Sequence, residues 1–272
     1  MSTLIPNALD RMPEIAARLR GRRPAVFLDY DGTLTPIVDR PEEARLPEEV
    51  RALVARLAAL CPLAVVSGRD LPDVRARVGL DVYYAGSHGF DIAGPGGTLH
   101  TPPQAVAAEP VLGAVERELR AALAAIAGAR VERKRFSVAT HYRLVRTAEV
   151  AAVERAVNAV RARHAGLRRG RGKKVIELLP DIGWDKGAAV LWLLGALDLD
   201  DAEGLPIYVG DDLTDERAFR ALASRGLGIL VRDKPRPTLA RYRLRDPAEV
   251  RAFLATLAGL LARRGGLLET RR

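Results

Sequence analysis

Phe27-Leu28-Asp29-Tyr30-Asp31-Gly32-Thr33-Leu34-Thr35-Pro36 carries an apolar run into a glycine turn and ends it with two carboxylates. Val26, Phe27 and Leu28 follow Pro24 without an intervening polar residue, the pattern of a short strand covered on both faces. Asp29 then stands at the carboxyl end of that strand, where open α/β sheets bind their ligands. Carboxylates one residue apart repel each other unless a cation lies between them, and hard oxygen ligands suit Mg²⁺. Gly32 and Thr33 leave amides and a hydroxyl facing an anion such as a phosphate. Taken alone, Asp-Tyr-Asp-Gly reads equally well as a polar turn, because Asp and Gly are turn formers. Segments elsewhere in the chain decide between the two.

Val65-Val66-Ser67-Gly68-Arg69 is a second apolar run, ending in a hydroxyl suited to a phosphate oxygen. Trp184-Asp185-Lys186-Gly187 places an ammonium at the start of an apolar helical run, and Ile207-Tyr208-Val209-Gly210-Asp211-Asp212-Leu213-Thr214-Asp215-Glu216 is again strand, glycine and carboxylates. In this order the four segments resemble the motifs of the haloacid dehalogenase-like phosphatases. The resemblance implies that Asp29 is the nucleophile, forming an aspartyl-phosphate, and that Asp31 is the general acid and base. It implies Mg²⁺ held by the Asp29 carboxylate, the Asp31 main-chain carbonyl and Asp211, with Asp212 and Asp215 supporting that shell. Ser67 and Lys186 complete the catalytic set by binding the phosphoryl group.

A long insertion separates the second and third segments. Helical periodicity covers about 104–127 and 147–164, and alternating stretches cover 129–135, 137–143, 167–171 and 173–179, giving the order αββαββ. This insertion resembles the type IIB cap of the same superfamily, which implies a domain that closes over the active site and supplies the leaving-group pocket. Glu132-Arg133-Lys134-Arg135-Phe136-Ser137-Val138-Ala139-Thr140-His141-Tyr142-Arg143, Gly172-Lys173-Lys174-Val175-Ile176-Glu177 and Gly86-Ser87-His88-Gly89 resemble segments of the trehalose-6-phosphate phosphatases. That narrower resemblance implies a sugar phosphate as substrate, with Arg69, His88, Glu132, Lys134, His141, Lys173 and Glu177 binding it. Strand period places Glu132 with Lys134, and Lys173 with Glu177, on one face, and turns Lys174, Ile176 and Leu178 toward the helices. One departure stands out: where many relatives have arginine before the proline, this chain has Leu179. His100 and His164 have no partner pattern and read as loop and helix-surface residues.

The expected architecture is a doubly wound, mostly parallel α/β sheet over 1–103 and 181–272, interrupted by an α+β cap over 104–180. The core helices end with one over 247–263, followed by a loose tail over 265–272. With 272 residues, there is length enough for two hydrophobic cores. The single cysteine, Cys61, excludes an intramolecular disulfide and makes a reducing compartment the natural setting. No secretory leader or membrane span is legible, so a cytoplasmic protein without a membrane partner is expected. The formal charge of +9 raises nucleic-acid binding. Lysines are only five of the 43 cationic residues, the charges are scattered, and no aromatic platform accompanies them, so no nucleic-acid partner is expected. The resemblance also implies functional coupling to a separate trehalose-6-phosphate synthase, since no synthase segment is legible here. Alternatives are a related phosphatase for sucrose phosphate or mannosyl-phosphoglycerate, and a non-catalytic nucleic-acid-binding protein on the same fold.

Overall fold

The computed structural model describes residues 5–38, 40–172 and 174–269. The chain divides into two compact units, Met1–Leu99 with Asp185–Arg272, and His100–Trp184. The second unit extends slightly beyond the expected 104–180, because the segments at its two ends pack together. The rings of His100 and Trp184 lie 5.1 Å apart, centroid to centroid.

In the first unit, among the described residues, the strands are β1 (Arg23–Leu28), β2 (Leu63–Val66), β3 (Tyr83–Gly86), β4 (Asp91–Ala93), β5 (Leu99–His100), β10 (Gly204–Gly210), β11 (Leu227–Val231) and β12 (Tyr242–Leu244). They form one sheet in the order β12-β11-β10-β1-β2-β3-β4-β5. The pairs from β12 through to β3 are parallel and β3–β4 is antiparallel. Helices α1 (Met12–Leu19), α2 (Glu48–Ala58), α3 (Leu71–Val78), α7 (Lys186–Ala196), α8 (Glu216–Leu222) and α9 (Pro247–Glu269) alternate with these strands. The central strands are uniformly apolar because both of their faces are covered. Val50, Val54 and Leu57 of α2 share one buried cluster with Val250, Phe253 and Leu257 of α9 and with Val26, Leu28, Ile207 and Val209 of the sheet.

The chain leaves β1 for β2 on one side, and β10 returns on the other. The switch point between β1 and β10 is where such sheets open a crevice. Leu28 pairs with Val209, so Asp29 and Gly210 leave the sheet at the same level.

Two core expectations change. Helix α9 runs to Glu269, so 265–269 are helical and not a loose tail; residues 270–272 lie outside the described ones. Once a helix is nucleated, each further residue adds a hydrogen bond, and this outweighs the low helix preference of Gly265 and Gly266. Helix α1, whose apolar pattern predicts about 15–19, begins at Met12, because Pro13 suits a first turn.

The second unit holds α4 (Pro103–Ala107), α5 (Glu109–Leu123), β6 (Arg130–Lys134), β7 (Ser137–His141), α6 (Val150–Arg163), β8 (Leu167–Gly172) and β9 (Val175–Pro180). The single helix expected over 104–127 is broken at Ala108, since Pro110 restricts Glu109 and begins a new first turn. The sheet order is β6-β7-β9-β8, antiparallel throughout. Val131, Val138, Ile176 and Leu178 are buried with Leu112, Val115 and Leu119 of α5 and Val153, Val157 and Val160 of α6. The other face carries the row Glu132, Ala139, Glu177 and Gly170, one residue from each strand.

Lys174 departs from the expected pattern. It sits in the β8–β9 turn at φ +66°, exposed, and not on the helix side of the sheet. Lys174 precedes β9, so strand parity starts only at Val175. Lys173 lies outside the described residues. His164 also gains a partner that spacing concealed: its Nε2 is 2.7 Å from Glu118 Oε1 on the neighbouring helix.

Candidate active site

β1 ends in a hydrogen bond from the Asp29 amide to Val209 O, 2.9 Å long, which fixes Asp29 beside β10. The turn that follows is closed by the Gly32 amide on Thr35 O and by the Leu34 and Thr35 amides on Tyr30 O. Gly32 has φ +84°, and a side chain there would collide with the Asp211 carboxylate, so glycine is required twice over. Asp185 caps α7, its Oδ1 accepting from the Gly187 and Ala188 amides at 2.9 and 3.1 Å, and this sets where Lys186 begins the helix.

Lys186 Nζ then donates to Asp29 Oδ1 and to Asp215 Oδ1, each at 2.7 Å. Asp215 is fully buried and also accepts from the Tyr208 hydroxyl at 2.6 Å and the Asp212 amide at 2.9 Å. Carboxylate oxygens of Asp29, Asp211 and Asp215 lie within 4.8 Å of one another. Burial pushes the Asp29 carboxyl well above its ordinary range; Lys186 opposes this, while Asp215 and Asp211 add to it. Burial, Asp215 and Asp212 push Asp211 up to about 7. Burial works against the Lys186 ammonium, but Asp215 and Asp29 outweigh it and hold its proton firmly.

With all three carboxylates ionised, the one ammonium leaves two negative charges in excess at this site. Asp211 Oδ1 is buried and has no hydrogen-bond partner among the described residues. An orphaned buried oxygen and an excess of two negative charges fit a divalent cation with oxygen ligands. Asp29 and Asp211 would hold it, with Asp215 beside them.

Ser67 and Arg69 follow β2. Ser67 is buried, and its amide donates to Ala85 O at 2.8 Å. Arg69 is held by carboxylates of the protein. Its Nε and Nη2 donate to the two oxygens of Asp31, both at 2.7 Å, and its Nη1 donates to Asp73 Oδ2 at 2.9 Å. The i,i+4 spacing of Arg69 and Asp73 at the start of α3 was legible in the sequence; the closure on Asp31 was not. Ser87 and His88 both have positive φ, +50° and +60°, a conformation that persists in non-glycine residues only when the surroundings impose it. Hydrogen bonds from the Ser87 amide to Arg69 O and from the His88 amide to Ser67 O impose it, and the imidazole lies where a side chain on Gly68 would be. Tyr208 is the residue of this site that sequence reasoning missed, because a tyrosine inside an apolar strand reads as core.

The second unit brings together a separate polar set on its open face. Glu132 Oε2 lies 2.7 Å from His141 Nε2. Lys134 Nζ donates to Glu177 Oε1 at 2.8 Å, and the Ser137 hydroxyl donates to the same oxygen at 2.9 Å. Glu132 is held down to about 2, first by the His141 hydrogen bond, with Lys134 and Arg130 adding to it. Ala139 and Gly170 flank Glu177 in the cross-strand row, so small residues surround the buried carboxylate. Leu179 is buried on this same side, paired across the sheet with Arg168.

A family model described as trehalose-phosphatase matches residues 27–248. The chain is 49% identical over 265 residues to a Mycobacterium tuberculosis protein called an uncharacterized glycosyl hydrolase, which covers 93% of this chain and 20% of that one. It is 48% identical over 251 residues to the trehalose-phosphate phosphatase of Mycobacterium marinum, covering 89% of this chain and 63% of that protein. The chain thus spans less than two thirds of the length of these two relatives. A crystal structure of a trehalose-6-phosphate phosphatase related protein superposes with a TM-score of 0.77 at 27% identity, covering 88% of this chain and 99% of that one. Among the described residues, no helix is long and apolar enough to cross a membrane.

Proposed function

The chain belongs to the trehalose-phosphatase family, and we propose that it hydrolyses trehalose 6-phosphate to trehalose and inorganic phosphate, with Mg²⁺ as cofactor. The observation that carries this reading is the bridge of Lys186 between Asp29 and Asp215, opposite the orphaned oxygen of Asp211. It leaves Asp29 Oδ2 for attack on phosphorus, giving an aspartyl-phosphate. Mg²⁺ held by Asp29 and Asp211 would supply positive charge that favours their ionised forms and offsets the charge of the phosphoryl oxygens. Lys186 and Ser67 orient the phosphoryl group.

Asp31 protonates the departing sugar oxygen, then takes a proton from the water that hydrolyses the aspartyl-phosphate. While the Arg69 fork is closed, both Asp31 oxygens are occupied as acceptors, so proton delivery requires the fork to open. His88 belongs with the phosphate end of the substrate, beside Ser67. Glu132, Lys134, His141 and Glu177 supply donors and acceptors for sugar hydroxyls, as a disaccharide requires, and Lys173 is assigned to the same group. Partnership with a separate synthase follows only from this choice of substrate.

The test is phosphate release from trehalose 6-phosphate, sucrose 6-phosphate and glucose 6-phosphate, with Mg²⁺ and with EDTA. Preference for the trehalose compound that disappears in EDTA is the expected result. Mg²⁺-dependent preference for sucrose 6-phosphate would keep the chemistry and overturn the substrate, with Leu179 the first residue to restore to arginine.

A further inference from the structure

At the carboxyl end of β11 lies a small recess walled by Ile5, Leu230, Arg232, Lys234, Arg236 and Arg243. None of these is a residue of the carboxylate site. Its backbone is tied down: the Arg232 amide donates to Leu244 O at 2.7 Å, the Arg243 amide to Pro6 O at 2.9 Å, and the Ala8 amide to Arg243 O at 2.8 Å. Four cationic side chains thus stand on a fixed frame.

Their charges are largely uncompensated. Arg236 Nη2 reaches Asp212 O at 2.9 Å and Glu216 Oε1 at 3.2 Å. For Arg232, Lys234 and Arg243 there is no ion-pair partner among the described residues. Asp233, between two of them in sequence, is exposed and does not line the recess. The Nε–H groups of Arg236 and Arg243 are buried and have no acceptor. Buried donors of native proteins are nearly always satisfied, so two such groups in one cationic recess indicate a missing acceptor. Guanidinium groups match the geometry of oxyanions, and gathered cations favour a dianion over a single charge.

We propose that this recess is a second anion site, which takes a phosphate dianion either as the free ion or as the phosphate of a small monoester. The site does not depend on what the enzyme hydrolyses. Its outer wall reaches the active-site loop through the Arg236 contact with Asp212.

The experiment is calorimetric titration of inorganic phosphate into the full chain in EDTA, where the carboxylate site, without a cation, repels phosphate. The expected result is one bound phosphate per chain, weakened at least about tenfold in Arg232→Gln/Arg243→Gln. Lys234→Gln, a milder change at an exposed position, weakens it about threefold. Melting curves establish that both variants are folded, and both retain the wild-type Mg²⁺-dependent phosphatase rate. A second arm titrates glucose 6-phosphate: affinity near that of inorganic phosphate supports a recess open to monoesters, and its loss supports a recess for the free ion. Absence of phosphate binding in the wild type, or equal affinity in folded variants, overturns the proposal. Failure to hydrolyse trehalose 6-phosphate leaves it untouched.

Discussion

The carboxylate site of the first unit and the polar face of the second are built from the same residue types and are balanced in opposite ways. Asp29, Asp211 and Asp215 crowd around one ammonium, and an oxygen of Asp211 is left without a donor. In the second unit each central carboxylate has its own donor, Glu132 with His141 and Glu177 with Lys134 and Ser137. A site left short of positive charge is prepared to take a cation and a reacting phosphoryl group. A satisfied polar face is stable by itself and offers its remaining donors and acceptors to a neutral polyol. On the proposed function, the difference separates chemistry from recognition.

The comparison breaks first at Asp29. Asp29→Asn preserves shape but removes the proposed nucleophile, so turnover should fall at least about a thousandfold while the melting temperature stays near that of the wild type. Retained phosphate release from trehalose 6-phosphate would sink the assignment of Asp29. Lys186→Met tests the charge imbalance itself. Removing one partner of a buried ion pair costs about 3–5 kcal/mol, and chemical denaturation in EDTA should show a loss of that size, partly recovered on adding Mg²⁺. A variant as stable as the wild type in EDTA would mean that Asp29 and Asp215 do not need the ammonium.

The recognition side is tested by Glu177→Gln. Its kcat/KM for trehalose 6-phosphate should fall about tenfold or more, as when a hydrogen-bonded contact to a substrate hydroxyl is lost, with little change for a small aryl phosphate. Equal losses on both substrates would make Glu177 a structural residue. The smallest effect belongs to Glu132. Its carboxyl titrates near 2 in the folded chain against an ordinary 4.5, so the unfolded chain binds the proton first as pH falls. The stability it contributes is complete above about pH 4.5 and is lost as pH drops toward 2. Wild type should therefore melt above Glu132→Gln at pH 6, with the gap closing across that acid window. A gap independent of pH would detach Glu132 from His141.

The two regions also differ in how much of them the sequence disclosed. Asp29, Asp31, Ser67, Lys186 and Asp211 each sit at the end of an apolar run or the start of a helix, so local pattern announces them. Once the strands are parallel and adjacent, the pairing of Leu28 with Val209 brings the ends together. The fork of Arg69 on Asp31 was hidden because its partners belong to different strand ends. Tyr208 was hidden because its hydroxyl matters only through Asp215, a residue that folds back from the next turn. In the second unit, strand parity put Glu132 beside Lys134, yet only the register puts Lys134 against Glu177 and His141 against Glu132. The same parity misplaced Lys174 because a turn, not a strand, claims it.

The amino-acid sequence by itself determined which segments are buried strands, where glycine turns follow them, and which carboxylates and lysine stand at their ends. Those features depend on neighbours a few residues apart, through alternation, helix period and turn chemistry. The tertiary structure alone decided which donors meet which carboxylates, that Asp211 keeps an oxygen without a donor, and that the cations of Arg232, Lys234, Arg236 and Arg243 share one recess. Charge balance and hydrogen-bond satisfaction are sums over groups close in space, and the chain order of those groups carries no record of that closeness.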